Sequence, residues 1–301
     1  MELFAPKYYK DFKCIADRCR HSCCIGWEID IDKASLEKYE KADGVYGDSI
    51  RQSIERGETP HFRLAEDERC PHLDGRGLCR IICNLGEEYL CDICREHPRF
   101  YNFSGGRGEA GIGLSCEEAA RIILSSDDYG EIEKIGEIEE PENGEPLDFD
   151  AKESRSRIYG ILSDRLVPYP ERLQTIYEEF GVCPGDVSDG DWRELISSLE
   201  YLDESHRELL LSYTSDTSTP EGLSDILERA LAYFVYRHLS PSRDGGEARA
   251  SLGFALFCER LLCAVARAVP ERAPEELAQI ISEELEYSEE NTEAVKLEFW
   301  F

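Results

Sequence analysis

The sequence predicts a mainly α protein, with a cysteine-rich, metal-binding amino-terminal domain containing short strands and an all-helical carboxy-terminal domain. Three observations carry this reading. Ten of the thirteen cysteines, Cys14 to Cys116, fall within the first 116 of 301 residues. Apolar residues recur at helical spacing through residues 153–301. No segment alternates strand and helix as βαβ units do, so no parallel sheet is expected.

Residues 1–124 form the cysteine-rich region, with many turn signals and short apolar runs. GWEIDID (26–32) and part of GEAGIGLS (108–115) alternate as strands do. Metal–thiolate bonds can replace a large hydrophobic core in such a region. Residues 125–152 are acidic, carry two prolines and read as a surface connection. In residues 153–301, SRSRIYGILSDRL stops before Pro168, and ERLQTIYEEF runs from Pro170 to Gly181 and Pro184. WRELISSLEYLD, HRELLLSYT, LSDILERALAYFVYRHL, residues 247–268 and PEELAQIISEELEYS are the further helices. Asp203, Ser224 and Ser288 stand where caps or connections are expected.

The formal net charge is −30, from 34 basic and 64 acidic side chains. Such a surface repels phosphate backbones, which argues against nucleic acid as a partner. It could attract a basic peptide or a lysine-bearing surface, although excess acid is more simply read as a solubility device. A membrane span needs about eighteen uncharged apolar residues. The nearest stretch, ASLGFALFCERLLCAVARAV (250–269), is broken by Glu259, Arg260 and Arg267. MELFAPKYYKDFK has no apolar signal core, so the expectation is a cytoplasmic protein.

In a reducing compartment, thirteen cysteines are not a disulfide framework. They read Cys14-x4-Cys19-x3-Cys23-Cys24, then Cys70-x8-Cys79-x3-Cys83-x7-Cys91-x2-Cys94, then Cys116 in LSCEEAAR. Closely spaced thiolates suit zinc and iron–sulfur clusters. Adjacent cysteines rarely bond to each other, so Cys23 and Cys24 are expected to point opposite ways, serving two sites or two edges of one. Only Cys91 and Cys94 have the spacing of a zinc knuckle. The C-x3-C-x2-C loop of clusters that cleave S-adenosylmethionine reductively is absent.

YYKDFKCIADRCRHSCCIGWEIDIDKASLEKYE, CPHLDGRGLCRIICNLGEEYLCDICREHPRFY and LSCEEAARIIL closely resemble the flagellin lysine-N-methylase family, which overlaps with zinc- or iron-chelating cysteine-cluster proteins. The likeness continues through LAYFVYRHL and SEELEYSEENTEAVKLEF. The resemblance implies a [4Fe–4S] cluster and methyl transfer from S-adenosylmethionine to a lysine ε-amine in a protein, flagellin being the family's named substrate. It matches Cys14, Cys19, Cys23, Cys24, Cys70, Cys79, Cys94 and Cys116 to the family's cysteines and leaves Cys83 and Cys91 as extras. Glu117 stands where the family has proline.

Catalytic groups are harder to read. No glycine-rich strand-to-helix signature of the common methyltransferase sheet is present, and GGRGEAGIG (105–113) reads better as a hairpin. Tyr233, Tyr236 and Arg237 share a helical face. They could bind a sulfonium and its carboxylate, with Tyr236 as proton acceptor or amine-positioning group. The plainer alternative is an outward stripe whose opposite face, Leu227, Leu231, Phe234 and His238, packs inward. His97 and His21 are candidate extra ligands, although His97-Pro98 also suits a turn. Arg95 and Arg99 could neutralise an anionic cluster or lie on the surface. Cys258 and Cys263 read as core, and Cys183 as incidental. The rival to the methyltransferase reading is a zinc- or iron-binding module or electron carrier without that activity.

Overall fold

The computed structural model describes residues 1–66, 68–104, 106–139, 151–216 and 218–300. In chain order the first elements are β1 (Glu2–Pro6), α1 (Lys33–Lys41), α2 (Gly44–Ser53), β2 (Ile54–Glu55), β3 (His61–Phe62), α3 (Arg80–Leu85) and α4 (Asp92–Glu96). Next come β4 (Arg99–Ser104), β5 (Arg107–Ile112), α5 (Glu117–Ser125) and β6 (Ile132–Glu137). Then follow α6 (Ala151–Leu162), α7 (Tyr169–Phe180), α8 (Asp189–Ser198), α9 (Glu204–Leu210), α10 (Ser224–Leu239), α11 (Gly245–Ala268), α12 (Pro274–Glu286) and α13 (Glu289–Leu297). The protein is mainly α. No helix among the described residues is long and apolar enough to cross a membrane.

Two compact units divide the chain, one of residues Lys13–Arg99 and one of Met1–Phe12 with Phe100–Phe301. The expected boundary at residue 124 therefore does not coincide with the division. Pairing explains why. In the larger unit the sheet order is β4-β5-β1-β6, with β1 antiparallel to β6 and, contrary to the expectation of no parallel sheet, parallel to β5; the two strands lie some hundred residues apart, so no βαβ pattern announces the pairing. Ala5, Ala110 and Ile112 are fully buried in it. β6 lies inside 125–152, so that acidic stretch is more than a connection; its residues 140–150 lie outside the described ones. Charge hid the strand, because β6 is exposed enough to carry Glu133, Lys134 and Glu137.

The helices α6 to α12 match the expected segments closely. Pro170 opens α7 and Gly181, at φ +62°, ends it, the left-handed conformation that glycine adopts without strain. Asp203 accepts from Ser205 N at 2.8 Å and caps α9. Ser288 caps α13, a helix the periodicity did not signal. Ser224 differs: it is the first residue of α10, and no side chain caps that helix.

α10 and α11 form the centre of the larger unit. α11 buries Glu259 and Arg260 against each other, and Tyr169 donates to Glu259 at 2.8 Å. Trp192 from α8 packs on Phe257 of α11 with ring centroids 4.3 Å apart. Phe299 lies directly over Gly253, where an added Cβ would fall well inside van der Waals contact with the ring. Gly253→Ala is therefore expected to cost about 1–3 kcal/mol by overpacking. Urea unfolding of the two proteins measures this, and an unchanged midpoint would mean that Phe299 moves away freely.

Candidate functional site

In the smaller unit, Cys70 and Cys91 are buried with Ile29, Ile31, Tyr39, Ile50, Phe62 and Ile81, and Cys24, Cys79 and Cys94 pack against this cluster. The alternation in GWEIDID is real in burial, with Ile29 and Ile31 inward, but it forms no named strand. Only the bridge from Asp30 to His61 is present, with Ile31 N donating to Pro60 O and Phe62 N to Ile29 O. Backbone bonds hold the cysteines in place. Cys70 N donates to Cys24 O at 2.8 Å, and Leu73 bridges to Cys79.

Cys79 and Cys91 immediately precede α3 and α4. Asp32 sets the second of these turns. Its Oδ1 accepts from Ser35 N at 2.9 Å and its Oδ2 from Asp92 N at 2.9 Å, so one carboxylate caps both α1 and α4.

The sulfurs accept backbone N–H groups, as ligating thiolates do. Cys70 accepts from His72, Cys79 from Ile82 and Ile81, and Cys91 from Cys94. Burial nevertheless pushes Cys70 up to about 12 and Cys79 upward. A hydrogen bond from the Cys23 thiol brings Cys24 down to about 7. The bond between Cys91 and Cys94 lowers the first and raises the second. A cation would relieve the cost of gathering these anions, and its binding would release protons. The donor chemistry thus fits a thiolate-bound metal.

All thirteen cysteines are free. Cys23 is exposed while Cys24 packs inward, yet the Cys23 thiol is hydrogen-bonded to Cys24, so the two sulfurs lie together rather than pointing opposite ways. Cys91, an extra in the resemblance, is fully buried at the centre. Cys83 lies one turn beyond Cys79 and is exposed; Cys14 is exposed and Cys19 half-buried. Cys116 belongs to the larger unit, where it precedes α5. Among the described residues no three thiols come within 4.8 Å of one another; the one such group is Glu28, Asp30 and His61.

His97 follows α4 with its Nε2 buried and without a hydrogen bond, and burial lowers its pKa to about 4. His21 is exposed. Arg95 pairs with Asp92 and Glu96 at the surface, and Arg99 opens β4. His72, which the sequence did not single out, is buried between Tyr46 Oη at 3.0 Å and Ser53 Oγ at 2.9 Å.

The larger unit holds an open groove of about 350 Å³ lined by Tyr201, Tyr287 and five glutamates, Glu200, Glu283, Glu284, Glu289 and Glu290. Glu284 is engaged by His206 Nδ1 at 2.6 Å and by Leu202 N at 2.8 Å. Among the described residues the other four make no ion pair. Burial pushes Glu283 up to about 7, and Gln279 Nε2 donates to its Oε1 at 2.9 Å. Arginines already cover part of the aromatic wall, Arg207 at 4.5 Å from the Tyr201 centroid and Arg237 at 5.3 Å from that of Tyr287. Sequence spacing gave no sign of this groove, because its walls come from α12, α13 and the segment before α9.

Tyr233, Tyr236 and Arg237 sit elsewhere, as packing groups of α10. Both tyrosines are 1% exposed. Tyr236 Oη donates to Ala110 O of β5 at 2.9 Å. Tyr233 Oη accepts from Leu114 N at 3.2 Å and Arg237 Nη1 at 2.9 Å, and donates to Glu286 at 3.0 Å. The opposite face, with Leu227, Leu231, Phe234 and His238, is buried as well. The helix is enclosed on both sides, so neither the pocket nor the outward stripe describes it. Within GGRGEAGIG, Arg107–Ile112 form β5, whose neighbour in the sheet is the preceding strand β4, in keeping with a hairpin; Gly105 lies outside the described residues.

Comparison with known proteins places the chain at a distance from lysine-modifying enzymes. A stretch of 149 residues, 47% of this chain, is 27% identical to the lysine-N-methylase of Salmonella choleraesuis strain SC-B67. The lysine-N-methylase of Salmonella typhimurium strain LT2 matches to the same extent, and the match spans 37% of each relative. A 130-residue stretch is 27% identical to the flagellar biosynthetic protein FliU of Salmonella muenchen, covering 41% of this chain and 77% of that one. These matches support a distant relation. No family model matches, and no solved structure does.

Tyr236→Phe removes the donor to Ala110 O and leaves a buried carbonyl short of a partner. Urea unfolding is expected to show a loss of about 1–2 kcal/mol. Any transferase activity per folded molecule should stay at the parent level, and a selective loss of turnover would return Tyr236 to a catalytic role.

Proposed function

We propose that this chain is a protein lysine N-methyltransferase that moves a methyl group from S-adenosylmethionine to a lysine ε-amine, with a [4Fe–4S] cluster held by thiolates of its smaller unit. The observation that carries the reading is the distant relation to the Salmonella lysine-N-methylases. The proposed ligands come from Cys24, Cys70, Cys79, Cys91 and Cys94, with His97 Nε2 as a candidate beside them. A single tetrahedral zinc would hold its sulfurs about 3.8 Å apart. The gathered thiols of this unit are the residues that would hold either a single zinc or a wider polynuclear core. When bound, such a cluster would supply a compact charged core held by the thiolates at the starts of α3 and α4.

The acidic groove supports the amine half of the reading. Its unpaired carboxylates suit an incoming ammonium, and its tyrosines add ring faces for the same charge. Transfer requires a neutral amine, whereas a free lysine has a pKa near 10.4. Glu283 is proposed to take that proton on its carboxylate, with Gln279 fixing Oε1. The proposed substrate is a lysine-bearing flagellar protein, flagellin first, and the proposed compartment is the cytoplasm.

Metal and sulfide analysis of protein purified without oxygen tests the cluster. Iron and acid-labile sulfide in near-equal amounts are expected, with a broad brown absorbance. Cys70→Ser and Cys91→Ser should each lose more than half the iron, whereas Cys258→Ser should keep it. Zinc without sulfide would sink the cluster and leave a zinc-binding module. Transfer of labelled methyl from S-adenosylmethionine to flagellin lysines tests the activity directly.

The groove makes a separate prediction. Below pH 7 Glu283 is largely neutral, and above it Glu283 is an anion while lysine is still charged. Binding of a lysine-rich peptide should therefore strengthen several-fold from pH 6 to pH 8. His206 faces Glu284 and is raised by it against its burial, so its discharge acts in the same direction. Glu283→Gln separates the two by flattening most of the rise in calorimetry, and an unchanged profile would exclude Glu283.

A further inference from the structure

Cys91 is the most enclosed cysteine of the smaller unit, 0% exposed, at the step into α4. Its Sγ lies within hydrogen-bonding reach of the Cys94 N–H, the Cys94 thiol and the Tyr39 phenol. A neutral thiol accepts weakly, whereas a thiolate accepts strongly. The surroundings of Cys91 therefore suit a sulfur that has lost its proton. If Cys94 binds the same metal it gives up its own thiol proton, which leaves its N–H and the phenol as the standing donors.

Tyr39 is held in this position from both ends of α1. Asp32 ties the start of α1 to the start of α4 through its two carboxylate oxygens, at 2.9 Å each. Near the other end, Arg51 Nη1 donates to Tyr39 O at 2.9 Å and to Ala42 O at 2.7 Å. Ser35 and Tyr39, four residues apart, are the buried residues of α1 and share its inward face. The Tyr39 ring packs on Phe62 with centroids 5.8 Å apart, a role that phenylalanine would fill equally well. Packing leaves the hydroxyl unexplained. Tyr39 is fully buried, and its Oη makes no hydrogen bond to an oxygen or nitrogen among the described residues. A buried hydroxyl without a full partner costs free energy that an anionic acceptor recovers.

We propose that Tyr39 is a positioning residue for the metal of the smaller unit, donating from Oη to the Sγ of a metal-bound Cys91 thiolate. On binding, the Cys91 S–H bond breaks, its proton leaves to solvent and the sulfur lone pair goes to the metal. The phenol then gains the acceptor that the thiol state withholds. This hydrogen bond orients the ligand and draws charge from the sulfur, which in an iron–sulfur cluster raises the reduction potential. The proposal rests on the metal-binding reading of this unit. It adds a role for Tyr39 and makes Cys91, an extra in the resemblance, a ligand.

The test compares the holoprotein, purified without oxygen, with Tyr39→Phe, which keeps the ring and removes the donor. Iron and sulfide in the parent report on the cluster, and the difference between parent and variant reports on Tyr39. The variant is expected to have a more negative reduction potential and to lose iron to excess chelator roughly tenfold faster. Its circular dichroism should be unchanged. Equal potentials and equal release in two iron-loaded proteins would overturn the proposal. A ring-fluorinated tyrosine at position 39 is a stronger donor of similar shape and should move the potential the other way. It decides the matter if Tyr39→Phe holds no cluster, an unmoved potential then counting against Tyr39. Zinc without sulfide in the parent ends the cluster reading alone, and Tyr39 then stands or falls on the same tenfold difference in zinc release. A parent that binds neither metal overturns both.

Discussion

The larger unit depends on the placement of β1 between β5 and β6. Glu2–Phe4 pair in parallel with Arg107–Glu109, and Glu2–Pro6 pair antiparallel with Glu137–Ile132. This draws the first twelve residues into the helical unit and leaves residues 13–99 as an insertion between two parts of one sheet-and-helix body. Loop-closure entropy grows only slowly with length, so a long insertion costs little more than a short one if it folds on its own terms. The smaller unit has a modest apolar cluster, in which cysteines supply several of the packing groups. The same sheet also presents Glu109 to Arg155 and Ala110 O to Tyr236, so the pairing of β1 and β5 fixes the polar contacts beneath it.

Those polar contacts explain where the sequence misled. Periodicity assumes that a charged or phenolic side chain marks the wet face of a helix. In the larger unit, Glu228 meets Arg172 at 2.7 Å and Tyr129 at 2.9 Å, Glu259 meets Tyr169, and Glu286 meets His238 at 2.7 Å. Each carboxylate is buried because a second element brings a donor to it, and those donors come from distant parts of the sequence. The readings of Tyr233 and Tyr236 as a donor pocket or an outer stripe both follow from that assumption. Helix ends are easier, since Pro170, Gly181, Asp203 and Ser288 act through their immediate neighbours.

The cysteine pattern was readable as a metal signature but not as a ligand set. Spacing ties Cys91 to Cys94, yet only the fold places them near Cys24, Cys70 and Cys79. The determinant is Asp32, which spans the starts of α1 and α4 with its two carboxylate oxygens. Nothing in the cysteine spacing refers to that aspartate. Cys116 shows the converse limit, because it continues the cysteine series along the chain but belongs to the other compact unit.

Net charge alone would have made every groove in this protein a site for cations. A second groove, of about 360 Å³, is lined by Asp127, Asp128, Glu131 and Glu228 and contains tyrosines too. There the charge is answered from within. Lys7 pairs with Asp128 and Glu131 at 3.0 Å, Arg165 and Arg229 hold Asp127, and Arg172 holds Glu228. The groove beside α12 and α13 has the same composition and lacks that compensation at Glu200, Glu283, Glu289 and Glu290. The distinction lies in which carboxylates the fold supplies with partners, since exposed pairs are individually weak but set whether a groove presents a net field. An incoming ammonium at the groove of Asp127 and Glu228 must displace an arginine or lysine. At the groove beside α12 and α13 it completes a set of charges that the described residues leave open.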